Sequence, residues 1–152
     1  MGYNIVLIEP EIPNNTGNIG RISLATNASL HLVKPFGFEL SDSRVKRAGL
    51  DYWQHIDLHI YESVEEFFTI HGDKNMAFLS SHAEKNHYSI PFEEDQFLVF
   101  GKESVGLSVS ITSKNSDKLY KIPMFGDHIR SLNLANAVSI VVYEGLRTKL
   151  NS

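Results

Sequence analysis

Short apolar runs punctuate this chain at intervals of roughly 20 to 30 residues. They are Asn4 to Ile8, Leu30 to Val33, Leu58 to Tyr61, Met76 to Ser80, Phe97 to Phe100 and Tyr120 to Pro123. Each is too short for a helix and most are apolar without alternation, the pattern of a strand covered on both faces. Between them the period changes. Ile19, Ile22 and Thr26 share one face of a helix predicted to open near Thr16. Ser63-Val64-Glu65-Glu66 reads as a capping box, and it starts a helix carrying Phe67 and Ile70. Leu134, Val138, Val141, Val142 and Gly145 mark the buried face of a C-terminal helix. Strands alternating with helices predict an α/β fold, a mostly parallel sheet flanked by helices. Pro35-Phe36-Gly37 and His71-Gly72-Asp73 read as loops.

The chain has 152 residues, the size of one ordinary domain, and no repeat, biased tract or linker divides it. A single domain over residues 1–152 is expected. No cysteine occurs, which excludes disulfides, thiolate metal sites and a cysteine nucleophile. Met1-Gly2-Tyr3-Asn4 lacks the features of a secretory leader, and no apolar run approaches the ~20 residues that span a bilayer. The expectation is a soluble, cytoplasmic protein without a membrane partner. Net charge is −4, which does not advertise a nucleic-acid binder. Distribution changes that picture. Arg44, Lys46 and Arg47 form a tight basic cluster, and Arg21, Lys34 and Arg130 add to it. A solvated helix face is one reading of the cluster; contact with RNA phosphates is the other.

Three strand-to-helix junctions carry most of the candidate chemistry. They are Asn14-Asn15-Thr16-Gly17-Asn18-Ile19-Gly20-Arg21, Phe100-Gly101-Lys102-Glu103-Ser104-Val105-Gly106-Leu107 and Arg130-Ser131-Leu132-Asn133-Leu134-Ala135-Asn136-Ala137. Small and polar residues there let backbone approach a ligand and expose amides and carbonyls to it. In the first, prolines 10 and 13 hold the chain extended, and Asn14, Asn15 and Thr16 can all cap a helix. In the second, Glu103 stands between two glycines at the end of the most apolar strand, the edge where open α/β sheets bind ligands. In the third, Ser131 or Asn133 can cap the last helix, with Asn136 one turn on. Close packing of glycines and backbone-bonded asparagines would explain each junction separately; one composite ligand site explains all three.

Competing chemistries fare worse. The second junction lacks the spacing of a dinucleotide fingerprint, and Leu107-Ser108 follows Gly106 where a P-loop needs Lys and Ser or Thr. This weakens a nicotinamide-dependent oxidoreductase. His55/His59 and His82/His87 lack a third nearby metal ligand. Ser131, His128 and Asp127 have no nucleophile elbow to support a hydrolytic triad.

Taken in order, the three motifs resemble the SPOUT class of RNA methyltransferases. The likeness is closest to its small, single-domain TrmL (YibK) family of tRNA wobble-nucleotide 2′-O-methyltransferases. It spans essentially the whole chain and includes the opening Asn4 to Pro13 and Arg47-Ala48-Gly49-Leu50-Asp51-Tyr52. The resemblance implies an α/β-knot fold with a deep C-terminal trefoil knot. It also implies a homodimer, S-adenosylmethionine as donor with S-adenosylhomocysteine as product, and tRNA as acceptor. The implied target is the wobble cytidine or modified uridine of a tRNA-Leu-type anticodon. By motif position, Leu79, Gly101, Ile122 and Ser131 match the family's cofactor contacts, with Glu103, Met124 and Leu132 beside them. Arg21 matches the arginine near the acceptor ribose, and Asn133 the asparagine of the Ser-Leu-Asn motif. Arg44, Lys46, Arg47 and Arg130 are the RNA-contact candidates. Methyl transfer needs alignment, desolvation and help with the 2′-hydroxyl proton, but no metal. An arginine gives up its proton very reluctantly, so Arg21 suits holding a phosphate or stabilising a developing alkoxide. The chain departs from the family at Ser80-Ser81-His82-Ala83, where Thr-Thr-Lys-Gly is common. The same chemistry at another RNA site, and an RNA-binding knot protein without turnover, remain alternatives.

Overall fold

The computed structural model describes residues 2–150, and side chains at 46 and 48–51 fall outside the described set. Seven strands form one sheet in the order β3-β2-β1-β6-β4-β7-β5. They are β1 (Asn4–Ile8), β2 (Ser29–Val33), β3 (Leu58–Tyr61), β4 (Met76–Leu79), β5 (Lys85–Asn86), β6 (Phe97–Phe100) and β7 (Leu119–Lys121). Every pairing among the named strands is parallel. The helices are α1 (Pro13–Ala25), α2 (Ser43–Gly49), α3 (Val64–His71), α4 (Val109–Lys114) and α5 (Leu134–Leu150). A 3₁₀ segment, Leu50–His55, follows α2.

Strand alternation sorts the core into two layers. Ile5, Leu7, Leu30, Leu32, Leu98 and Phe100 face α1 and α5, meeting Ile19, Val138, Val141 and Val142. Their neighbours Val6, Ile8, Val33, Phe97 and Val99 face α3 and α4, meeting Phe67 and Ile111. Both faces of the sheet are therefore covered, which is why its strands read as continuous apolar runs. One exception is His31, 3% exposed. Its ring nitrogens meet Tyr61 Oη at 2.8 Å and Asn4 Oδ1 at 2.9 Å, and its ring stacks on His59 at 4.7 Å. Burial pushes its pKa down to about 3, with the charges of His59 and His71 adding to the effect.

Predicted and observed elements differ chiefly at their ends. The strand expected to reach Ser80 stops at Leu79, and the one expected to reach Pro123 stops at Lys121. Proline has no N–H to donate to a ladder. The helix expected near Thr16 begins at Pro13. Proline at the first helical turn loses no hydrogen bond, since that N–H has no intrahelical partner. Ser63 does cap α3, accepting from the Glu66 N–H at 3.0 Å. Glu66 reaches back to the Glu62 N–H at 2.7 Å, one residue before the capping box predicts.

Candidate active site

At the carboxyl ends of β4, β6 and β7 the three junctions enclose one cavity of about 950 Å³. Leu79 at the end of β4, Ile122 just past β7, and Met124 supply apolar wall; Leu132 and Leu107 add to it. Ser80, Ser81, Ser131, Asn133 and Arg130 supply polar atoms and charge.

Gly101 is where β6 turns. A Cβ there would lie 2.2 Å from both Gly106 C and Leu107 N, because the loop folds back on its own start. Gly106 N–H donates to Lys102 O at 2.9 Å, and Gly106 takes φ +73°, a conformation glycine adopts without strain. The turn projects Glu103 onto the start of α1. Its carboxylate accepts the N–H groups of Glu11 at 2.7 Å and Ile12 at 3.0 Å, and the Asn15 side-chain amide at 3.2 Å. An anion is well placed at that end of a helix. Glu11 answers from the other side, accepting Ser104 N–H at 2.8 Å and Ser104 Oγ–H at 3.0 Å. These two donors hold the Glu11 carboxyl below the ordinary carboxylate range. Lys102 Nζ pairs with Glu9 at 3.1 Å.

Asn15 then joins the third junction. Its Oδ1 accepts from Asn133 Nδ2 at 3.0 Å, while Asn133 Oδ1 accepts the Asn136 N–H at 3.2 Å and caps α5. Glu103, Asn15 and Asn133 thus form a continuous polar chain through all three motifs. Sequence reasoning missed Asn15 as anything but a cap; the observed cap position is Ile12, with no side-chain hydrogen bond of its own. Asn15 is 6% exposed. A buried asparagine inside a first helical turn needs partners, and that was the signal available.

The cavity gathers Leu79, Gly101, Glu103, Ile122, Met124, Arg130, Ser131, Leu132 and Asn133 from the sequence-based candidates. Arg21, Arg44 and Arg47 do not line it. Arg21 sits six residues beyond Asn15, about 9 Å farther along α1 and roughly 120° around it. It is exposed, its guanidinium 5.0 Å from the centre of the Tyr52 ring. Arg44 and Arg47 are exposed on α2, and Arg44 is held by Asp42 at 2.9 Å. The Lys46 side chain lies outside the described residues. His82 does line the cavity, its N–H donating to Ser80 Oγ at 3.2 Å. A second cavity of about 900 Å³ lies against α3 and α4 and shares Lys102, Val105 and Gly106 with the first. No cluster of three or more potential metal ligands occurs among the described residues.

The profile of the SpoU rRNA Methylase family matches residues 2–143. The chain belongs to this family. A tRNA (cytidine(34)-2′-O)-methyltransferase of Saccharophagus degradans is 43% identical over 148 residues, covering 95% of this chain and 94% of its own. A Bacillus subtilis protein carrying that name provisionally is 43% identical over 150 residues, covering 97% of this chain and 93% of its own. A structure solved in a study of 2′-OH methylation of C/U34 on tRNA superposes with a TM-score of 0.93 at 40% identity, covering 99% of this chain and 97% of that one. The fold also matches AviRb, a SpoU methyltransferase of Streptomyces viridochromogenes in complex with AdoMet, with a TM-score of 0.85 at 22% identity; the match covers 98% of this chain and 58% of AviRb. The matched family is one of methyltransferases, and this chain's sheet is parallel and flanked by helices, as the sequence predicts.

Proposed function

We propose that this chain is an S-adenosylmethionine-dependent tRNA 2′-O-methyltransferase acting on nucleotide 34, the wobble position of the anticodon. The observation that carries the reading is the single cavity made by all three motifs and tied together by Glu103, Asn15 and Asn133. The cavity fits the donor: it has the size of a small-molecule site and combines an apolar wall with hydroxyl, amide and charged groups. The absence of a Cβ at Gly101 lets the loop fold back on its own start and form one wall of the cavity. Leu79, Ile122, Met124 and Leu132 hold the adenine side, while Gly101 and Ser131 offer backbone and hydroxyl groups. Bound S-adenosylmethionine supplies an electrophilic methyl group on a sulfonium. The chain's part is to exclude water and to align the acceptor hydroxyl for in-line attack. Arg21 holds a phosphate or the developing alkoxide, and Asn133 fixes the loop bordering the reacting atoms. Arg44, Lys46, Arg47 and Arg130 supply phosphate contacts that a chain of net charge −4 otherwise lacks.

The working unit is a homodimer in the cytoplasm, with the C-terminal segment threaded as a trefoil knot and no metal in the reaction. Two features support a second copy: Arg21 lies outside the cavity of its own chain, and α5 exposes Ile140 (39%) and Tyr143 (50%). A tRNA-Leu-type anticodon is the substrate class.

The test is incubation with labelled S-adenosylmethionine and total tRNA, followed by nucleoside mapping by mass spectrometry. Label on the ribose 2′-oxygen of nucleotide 34 is expected. Label at a base atom, or none in any tRNA, rejects the reading; a parallel arm with ribosomal RNA detects the same chemistry elsewhere. Arg21→Ala is expected to abolish transfer while cofactor binding, read by calorimetry, survives.

A further inference from the structure

Arg21 differs from Arg44 and Arg147 in what holds it. Arg44 and Arg147 direct two guanidinium nitrogens each at Asp42 and Glu144. Arg21 makes no hydrogen bond or ion pair with the described residues. Its guanidinium lies over the Tyr52 ring, 5.0 Å from the centroid. A ring face orients a guanidinium without using its N–H donors, so all five stay available to oxygen ligands.

The adjoining residue explains how the ring reaches it. A Cβ on Gly20 would stand 2.6 Å from Ile56 Cδ1 and 3.0 Å from the Trp53 ring. The 3₁₀ segment Leu50–His55 and the residue after it therefore press directly on the α1 backbone one residue before Arg21. Tyr52, 39% exposed, is carried on that same segment.

We propose that Tyr52 is a positioning residue: its ring holds the Arg21 guanidinium in place, donors free, for the oxygens of an RNA backbone. The inference rests on the reading of Arg21 given above. A long exposed side chain otherwise loses its rotamer freedom when it engages substrate, and the stack removes part of that loss beforehand.

The experiment compares Tyr52→Leu, Tyr52→Phe, Arg21→Ala and the Tyr52→Leu/Arg21→Ala double variant, each checked for fold by circular dichroism. Turnover is read with tRNA, cofactor affinity by calorimetry, and the Arg21 side-chain resonances by NMR without RNA. Loss of the stack should slow methyl transfer about two- to fivefold, the range expected of an exposed cation–π contact. Cofactor affinity should not change, Tyr52→Phe should restore turnover, and in tRNA binding, measured separately, Tyr52→Leu should add nothing in the Arg21→Ala background. The Arg21 resonances should lose their ring-current shift in Tyr52→Leu and keep it in Tyr52→Phe. Full turnover in Tyr52→Leu, or a further loss of tRNA binding in the double variant, overturns the positioning role while leaving Arg21's own role standing. Full turnover in Arg21→Ala overturns both. If no RNA is methylated by the unaltered protein, the proposed activity fails and the NMR comparison decides the Tyr52–Arg21 contact by itself: an Arg21 signal that ignores Tyr52→Leu overturns it.

Discussion

Two loops wall the same cavity, and they are built in opposite ways. The loop after β6, residues 101–107, is tied down on every side. It closes on itself through Gly106 and Lys102, reaches α1 through Glu103, receives Glu11 at Ser104, and pairs Lys102 with Glu9. The loop between β7 and α5 has almost none of this. No side-chain hydrogen bond or ion pair among the described residues involves 123–132, whose backbone makes only a turn at Asp127–His128, while Phe125 is 92% exposed, Ile129 59% and Leu132 38%. Apolar side chains left in water beside a cavity are surface waiting for a partner. One wall is thus organised by its own contacts, and the other is left open to solvent. If the cavity holds the proposed donor, the fixed wall should set its geometry and the free wall should close on it.

Breaking the fixed wall should have the largest effect. Gly101→Ala puts a methyl group into backbone atoms that have nowhere to move without opening the loop. Overpacking of this kind costs about 3 kcal/mol, which corresponds to a Kd for S-adenosylmethionine weakened roughly 100-fold. Calorimetry checks it. Near-normal affinity would show that the loop after β6 yields as readily as its counterpart, and the contrast would fall.

Glu103→Ala should come next. It strips acceptors from two backbone N–H groups and from Asn15. With solvent able to reach part of the site, the loss should be about 2 kcal/mol, or a melting temperature lower by roughly 4–8 °C. Glu103→Gln should recover only part, because its amide NH₂ would face other donors. A melting temperature unchanged in Glu103→Ala would mean that the polar chain through the three motifs holds nothing.

The same contrast separates what could be read from the sequence from what could not. The strands were legible because a parallel sheet buried on both faces leaves unbroken apolar runs. The cavity's residues were legible because junction chemistry and family likeness converge on them: Leu79, Gly101, Ile122, Ser131 and their neighbours do meet. The ties of the fixed wall were not. Asn15 lies 88 residues from Glu103 and 118 from Asn133, and no local pattern encodes a hydrogen bond over that span. Nor does local patterning give strand order, which sets β6 between β1 and β4 and so brings the second junction against the first. The start of α1 is not legible locally for a related reason. Three cap-competent side chains were in view, but Glu103, from far along the chain, meets the N–H groups just before the helix. His31 is hidden inside an apolar run because its two polar partners come from β1 and β3.

Ligand-dependent ordering should sharpen the comparison more gently. Amide exchange with and without S-adenosylmethionine should show protection rising in residues 124–132 and little change in 102–106, which are already bonded. Rising protection of similar size in both loops would make the two walls equivalent.

Acid should undo the fixed wall through Glu11, and this is the smallest effect expected. Two donors from Ser104 stabilise the Glu11 carboxylate, so its folded pKa lies below the ordinary value of 4.5. A carboxyl depressed in this way contributes fully above its unfolded pKa, and the contribution is lost as pH falls through the folded value. The Ser104 amide proton should therefore hold its NMR position from neutral pH down to about 4.5 and move only below that. His31 acts with a different window. Its folded pKa of about 3 lies below the ordinary 6.5, so the unfolded chain takes up a proton first. Global stability should accordingly decline as pH falls from about 6.5 toward 3, before Glu11 lets go. The two are separable, since Glu11→Gln should flatten the Ser104 titration and leave the earlier decline untouched. A Ser104 shift that began near pH 6.5 would tie the loop to global loosening, not to its own latch, and the two walls would then differ in exposure alone.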